Sequence, residues 1–223
     1  MLFSLSEVTE VFKHAHLIGE DSVGAFKARL RKLQGEGVPA GANPGKGKRV
    51  EYGITMLIEM SIALEFLQAG LSPAEAATLI KAERGSILAM SLFAIDPRSK
   101  EAEPILVFSP EALGNLQDRE GERDLLGAIT FLTRQGLVEL FAKERDDILV
   151  TGVPWRWIIV ELRPLMLNLM AFIADSLDRS DEAVADSFSY LVTKTEKTRG
   201  AVIAQRLNRM MTLGPVEQDD GSS

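Results

Sequence analysis

The ten residues Ala40-Gly-Ala-Asn-Pro-Gly-Lys-Gly-Lys-Arg49 contain four glycines or prolines and cannot hold a helix. Strong helical patterns stand on both sides, so this string must be a loop between helices. Ahead of it, Leu5, Val8, Val11 and Phe12 form one stripe of a short helix from Leu5 to Lys13, capped by Ser4 or Ser6. Leu17-Ile18-Gly19-Glu20-Asp21 breaks that helix, and Ser22 is placed to cap the next. In the second helix Val23, Phe26, Leu30 and Leu33 recur at spacings of 3, 4 and 3, which defines one buried face. Lys27, Arg31, Gly24 and Ala28 fall opposite, with Arg29 and Lys32 on the flanks. Gly35-Glu36-Gly37 ends this helix. Helix, tight turn and basic helix together are the sequence form of a helix-turn-helix. The glycine-rich string after it, closing on strand-like Arg49–Tyr52, reads as a small wing. A third helix over Thr55–Gln68 is stopped by Gly70. Ser72, Pro73 and Glu75 then supply an N-cap, an N1 proline and an acid for a fourth helix to about Ala82.

The texture changes from Ser86. Ile87–Ile95 and Pro104–Phe108 read as strands, and Ser109-Pro110-Glu111 opens a short helix. Gln117–Asp124 reads as a surface turn, and Gly127–Thr133 as strand or helix. Leu137–Lys143 is helical, Trp155–Glu161 a strand and Arg163–Leu177 a helix. Asp181–Met211 is a long amphipathic helix that Gly200 is placed to interrupt. The fold class expected is α+β. A mainly α winged helix-turn-helix module over 1–84 precedes an α+β dimerisation or effector region over 86–213, and the polar tail 214–223 is expected to be disordered.

Charge distribution narrows the function. The whole chain carries −7, the wrong sign for non-specific nucleic-acid binding. Residues 22–49 nevertheless hold seven basic residues against Glu36 alone, a net +6. An electropositive face on an otherwise acidic protein is expected. Cysteine is absent, which excludes a disulfide framework, a thiolate nucleophile and Cys-ligated metal. No basic, apolar leader opens the chain, and the apolar stretch from Val153 to Ala174 is broken by Arg156, Glu161, Arg163 and Pro164. A soluble cytoplasmic protein without membrane contact is expected.

The order helix, turn, basic helix, wing, helix, Gly, helix over residues 3–84 resembles the MerR-type winged helix-turn-helix. Leu30-Arg31 stands ahead of Glu36-Gly37-Val38, where that family places Leu-Arg before a Glu-Gly-Leu turn. Ala69-Gly70-Leu71-Ser72-Pro73-Ala74-Glu75-Ala76, followed by Leu79-Ile80, is similar to the family's Leu-Gly-Phe-Ser-Leu-Glu-Glu-Ile segment and the Leu-Leu pair after it. The chain departs from the pattern at Arg31-Lys32-Leu33, where the family has Arg-Tyr-Tyr. It lacks the family's long coiled-coil helix and metal-binding cysteines, so no effector chemistry is implied. The resemblance implies double-stranded DNA as partner and sequence-specific regulation of transcription as function. Residues 22–34 would enter the major groove, with Ser22, Lys27, Ala28 and Arg31 toward base edges and Lys27 and Arg31 as the contacts. Arg29, Lys32, Lys46, Lys48 and Arg49 would hold phosphates. A homodimer is expected, with RNA polymerase or a small-molecule effector as a partner of the region beyond residue 86. An architectural or partition/excision-type DNA-binding role is the alternative.

Other features have plainer readings. Gly47-Lys48 is followed by Arg49 rather than Ser or Thr, so the wing is not a phosphate-binding P-loop. His14 and His16 diverge on a helix and cannot share a metal, and no metal, cofactor or catalytic residue is assigned. Trp155 and Trp157 alternate across a strand, with core packing the default over a ligand pocket. Met166, Met170, Met210 and Met211 read as core fillers. The acids over Asp178–Asp186 suit a helix start. Lys194, Lys197, Arg199, Arg206 and Arg209 read as an exposed helix face, with contact to DNA or polymerase the alternative.

Overall fold

Helices dominate the fold, and among the described residues two small antiparallel sheets complete a mixed α+β architecture. The computed structural model describes residues 1–42, 49–97, 103–108, 129–151, 157–198 and 200–202, without the side chains of 143–151. Strand β1 (Leu2–Phe3) leads into α1 (Leu5–Ala15). Ser4 caps α1 by accepting the Glu7 N–H, and the Glu7 carboxylate accepts the Ser4 N–H in return. The two bonds satisfy two of the donors that a helix start leaves open. One 3-10 turn (Glu20–Ser22) separates α1 from α2 (Val23–Gly35). Ser22 occupies the N-cap position of α2 but makes no capping bond, contrary to expectation. Its backbone is already helical (φ −98°, ψ −6°), whereas a capping side chain needs an extended one.

Strand β2 (Tyr52–Gly53) pairs with β1, placing Phe3 opposite Tyr52, and both side chains are buried. The strand expected over Arg49–Tyr52 is thus confined to its last residue and Gly53. Helix α3 (Ile54–Gln68) follows directly, and α4 (Pro73–Ile95) opens with the expected capping box at Ser72 and Glu75. Helix α4 absorbs Ile87–Ile95, which sequence pattern assigned to a strand. Ile87, Ala89, Met90, Ser91, Leu92 and Ala94 are all buried, so the segment is apolar on nearly every side and shows no 3.6-residue period. Glu83 (φ −114°, ψ 15°) is the one non-helical residue inside α4. The boundary expected between residues 84 and 86 therefore falls within this helix.

Strands β3 (Ile105–Phe108), β4 (Ile129–Leu132) and β5 (Ile158–Glu161) form an antiparallel sheet with β3 in the middle. Leu106 and Phe108 face α3 and α4, where Phe108 meets Phe66 edge to face at 4.4 Å. Ile105 and Val107 point to the other side and join Leu132 beneath Leu137, Leu140 and Trp157. Leu137 and Leu140 belong to α5 (Arg134–Thr151). Helix α6 (Leu162–Ser176) packs on α1 and α4, and α7 (Asp181–Lys194) on α6 and α4. One core therefore joins the two ends of the chain. Val8, Val11 and Phe12 of α1, and Phe26 and Leu30 of α2, cluster with Met166, Leu169 and Ile173 of α6 and Phe188 of α7. Helix α7 stops at Lys194, with helical residues again at 196–198 and 200–202, so the break falls at Thr195 and the remainder of the expected helix to Met211 lies outside the described residues. Thr195 caps it, bonding both its N–H and its hydroxyl to the Leu191 carbonyl. The expectations for 109–111, 117–124 and the tail lie outside the described residues.

Candidate nucleic-acid interface

Helix α2 buries Phe26, Leu30 and Leu33 and leaves Lys27, Ala28, Arg29, Arg31 and Lys32 exposed. None of its four cations is paired with a carboxylate among the described residues. Ser22 is exposed at the start of this helix, directly after the acids Glu20 and Asp21. Lys13 neutralises Glu20 across the turn and also contacts Glu10. Lys27, Arg31 and Gln34 are spaced i, i+4, i+7 and so share one stripe. Gln34 Nε2 donates to the Tyr52 hydroxyl at 2.5 Å, which aims this stripe toward the root of the glycine-rich loop. Arg49 is exposed three residues before Tyr52. Lys46 and Lys48 lie outside the described residues.

The turn out of α2 is closely determined. Gly37 takes φ +80°, a conformation that favours glycine, and the Val38 N–H donates back to the Leu33 carbonyl at 3.0 Å. Val38 is buried, fastening the turn to the core. Glu59, in the middle of α3 and only 2% exposed, reaches the same turn. Its Oε2 accepts the Ala40 N–H at 3.0 Å and the Arg84 Nε–H at 3.0 Å. Arg84 also donates from Nη2 to the Gly37 carbonyl at 3.3 Å. Glu59 is buried whereas the Arg84 side chain is partly exposed to solvent, so the uncompensated charge left by removing Arg84 would be the buried Glu59 carboxylate.

Sequence reasoning missed Glu59, Arg84 and a third group, Lys81. Glu59 carried a signal, as the one charge between Glu51 and Glu65 in an apolar helix. Arg84 carried none, because its partners, Glu59 and the Gly37 carbonyl, lie on other elements brought to it by the fold. Lys81, exposed on α4, extends its ammonium over Gly37: a Cβ there would stand 3.4 Å from Lys81 Cε and 3.7 Å from Nζ. This adds a cation beside the C-terminal end of α2.

The remaining features resolve into packing. His16 is half-buried against Phe12 and Gln68, and burial holds its pKa below the usual imidazole value. His14 lies 6.3 Å from the Phe172 ring. No cluster of three or more metal-ligating side chains occurs among the described residues. Trp157 is half-buried and packs against the small cluster beside β3, while Trp155 lies outside the described residues. Met166 is buried and Met170 packs against the same cluster. Ser180 caps α7, with Asp181 and Glu182 in its first turn. Lys194 sits 5.5 Å over the Tyr190 ring, and Lys197 is exposed. No helix among the described residues is long and apolar enough to cross a membrane. No protein-family model, curated protein or solved structure matches the chain.

Proposed function

We propose that this protein binds double-stranded DNA as a MerR-like winged helix-turn-helix regulator of transcription. Helices α1 and α2 form the helix-turn-helix, and residues 40–52 form the wing. One observation carries the reading: α2 presents four exposed cations without carboxylate partners among the described residues, and Gln34, on the stripe of Lys27 and Arg31, is hydrogen-bonded to Tyr52 at the wing root. An α-helix fits the major groove, and arginine bonds both acceptors of a guanine edge. Arg31 and Lys27 therefore read bases. Arg29, Lys32, Arg49 and, from sequence, Lys46 and Lys48 anchor phosphates, with Lys81 added at the end of α2. A homodimer would set two copies of α2 on half-sites one helical turn apart.

The test starts from a pool of random 30-bp duplexes, from which the full chain selects its preferred site. At that site Arg31→Ala should cost about 1–3 kcal/mol and relax the preference at one base pair. Arg49→Ala should weaken all sequences alike and shrink the salt slope by about one. Failure of the wild-type chain to bind any duplex at low salt would overturn the proposal. So would an Arg31→Ala chain that selects the same sites with the same affinity.

A further inference from the structure

We infer that the outer edge of β5 is an interface with a second copy of this chain, the two strands pairing antiparallel across a two-fold axis at Ile159. The duplex-binding reading calls for a homodimer without assigning it a surface. This interface goes beyond that reading and can be tested without DNA.

The strand order β4-β3-β5 leaves β5 at one edge of the sheet, with no strand on its outer side among the described residues. An open edge is a template for another strand, and proteins that guard against pairing place a lysine, a proline or a bulge there. Ile158-Ile159-Val160-Glu161 has none of these, and its register against β3 is continuous. Its single charge, Glu161, is neutralised by Arg134, whose Nη2 stands 2.9 Å from the carboxylate. Ile159 is 42% exposed in the middle of the strand, opposite Val107 and so on the same face of the sheet. The other edge differs, since Ile129, Phe131 and Leu132 of β4 are all buried.

The chemistry along this face of β5 complements itself. Trp157, just ahead of the strand, packs half-buried beside Ile105 and Val107, while Glu161 and its exposed partner Arg134 lie at the other end. Leu167 of α6, exposed beside Arg134 and Glu161, widens the apolar surface there. A two-fold axis at Ile159 sets this isoleucine against its own copy. It also sets Trp157 against the partner's Glu161 and the partner's Arg134. An arginine beside an indole face is a favourable pair, and the isoleucine contact removes two exposed side chains from water at once. Residues of like parity meet in this register. Whichever parity turns its N–H and C=O groups outward therefore finds the same parity outward on the other strand. A two-fold contact requires such self-complementarity, and a strand from an unrelated protein has no reason to match it. Because β5 is short, the expected Kd is on the order of 10 μM.

The experiment is sedimentation velocity on the full chain without DNA, from about 1 to about 200 μM, a range that brackets this Kd. The wild-type chain should pass from monomer to dimer across it. Ile159→Lys, which the fold tolerates because the position is exposed, should weaken the dimer by about tenfold or more, since it opposes two like charges. Arg134→Gln should weaken it about fivefold through loss of the contact with Trp157. Cysteine is absent from the chain, so Ile159→Cys carries its sole thiol. That variant should form a disulfide-linked dimer under mild oxidation, whereas Tyr190→Cys, exposed on α7, should not. The cysteine variants decide the matter if Ile159→Lys misfolds. A wild-type chain still monomeric at the highest concentration would overturn the inference. So would a dimer unmoved by folded Ile159→Lys, or cross-linking through Tyr190→Cys in preference to Ile159→Cys. A monomer that binds duplex overturns this interface and leaves the DNA reading standing. A dimer formed through Ile159 by a chain without duplex affinity does the opposite.

Discussion

Ending the chain after Arg84 should leave a fragment that does not fold cooperatively. Val8, Val11 and Phe12 of α1 are fully buried in a cluster shared with β1, α2 and α3, and the helix α1 packs on most extensively is α6, far beyond the cut. Each such side chain is worth about 1.5–3 kcal/mol when buried, so the three together represent roughly 5–9 kcal/mol. The cut also removes Ile87, Met90 and Leu92, which complete the buried side of α4. An 84-residue unit has about 4–13 kcal/mol of total stability, so a loss of this size is comparable to the whole. Near-UV circular dichroism and urea titration of residues 1–84 should show no fixed tertiary signal and no sigmoidal transition, with strong ANS binding. The fragment 1–202, which keeps α6 and α7, serves as the folded control. A cooperative urea transition for 1–84, with an m-value proportionate to its length, would refute the argument that the two ends share a core.

Ser72→Ala should lower stability by about 1 kcal/mol in thermal melts, because it dismantles a reciprocal capping box, whereas Ser22→Ala should leave the midpoint unchanged. Equal effects of the two substitutions would contradict the difference in cap geometry. Burial pushes the Glu65 carboxyl above the usual range, so its ionisation is harder in the folded state than in the unfolded one. Glu65→Gln should therefore raise the melting temperature at pH 7. The gain should fade as pH falls through the folded pKa toward the unfolded value near 4.5, where wild-type Glu65 is protonated too. A gain that grows with acidification would reverse the sign of the argument.

The N-terminal helices were legible because each combines a stripe with punctuation. Phe26, Leu30 and Leu33 are buried as their spacing requires, and Gly37 and Gly70 adopt positive φ where the helices stop. Ser72, Pro73 and Glu75 are local chemistry and act locally. Ile87–Ile95 was misread because burial on all sides erases periodicity, leaving a short apolar run that fits strand or helix equally. The break after Lys194 was not legible: the Thr195 hydroxyl bonds the Leu191 carbonyl, but Thr9, Thr78 and Thr193 bond back in the same way inside continuous helices, so a threonine there carries no stop signal. Within the candidate interface, the exposed cations of α2 followed directly from the position of its buried stripe. The clamp on the turn did not. Glu59 and Arg84 are 25 residues apart and belong to different helices, and only the fold brings their side chains to Gly37 and Ala40.

Strand β3 has a genetic consequence. A sheet strand with one wet face tolerates polar replacement at every other position. All four residues of β3 are buried, alternately toward α4 and toward Trp157, so neither parity faces water. Saturation mutagenesis across Ile105–Phe108 should then return one unbroken intolerant block instead of a striped profile. On β5, where Ile159 is substantially exposed beside buried Val160, the stripes should reappear.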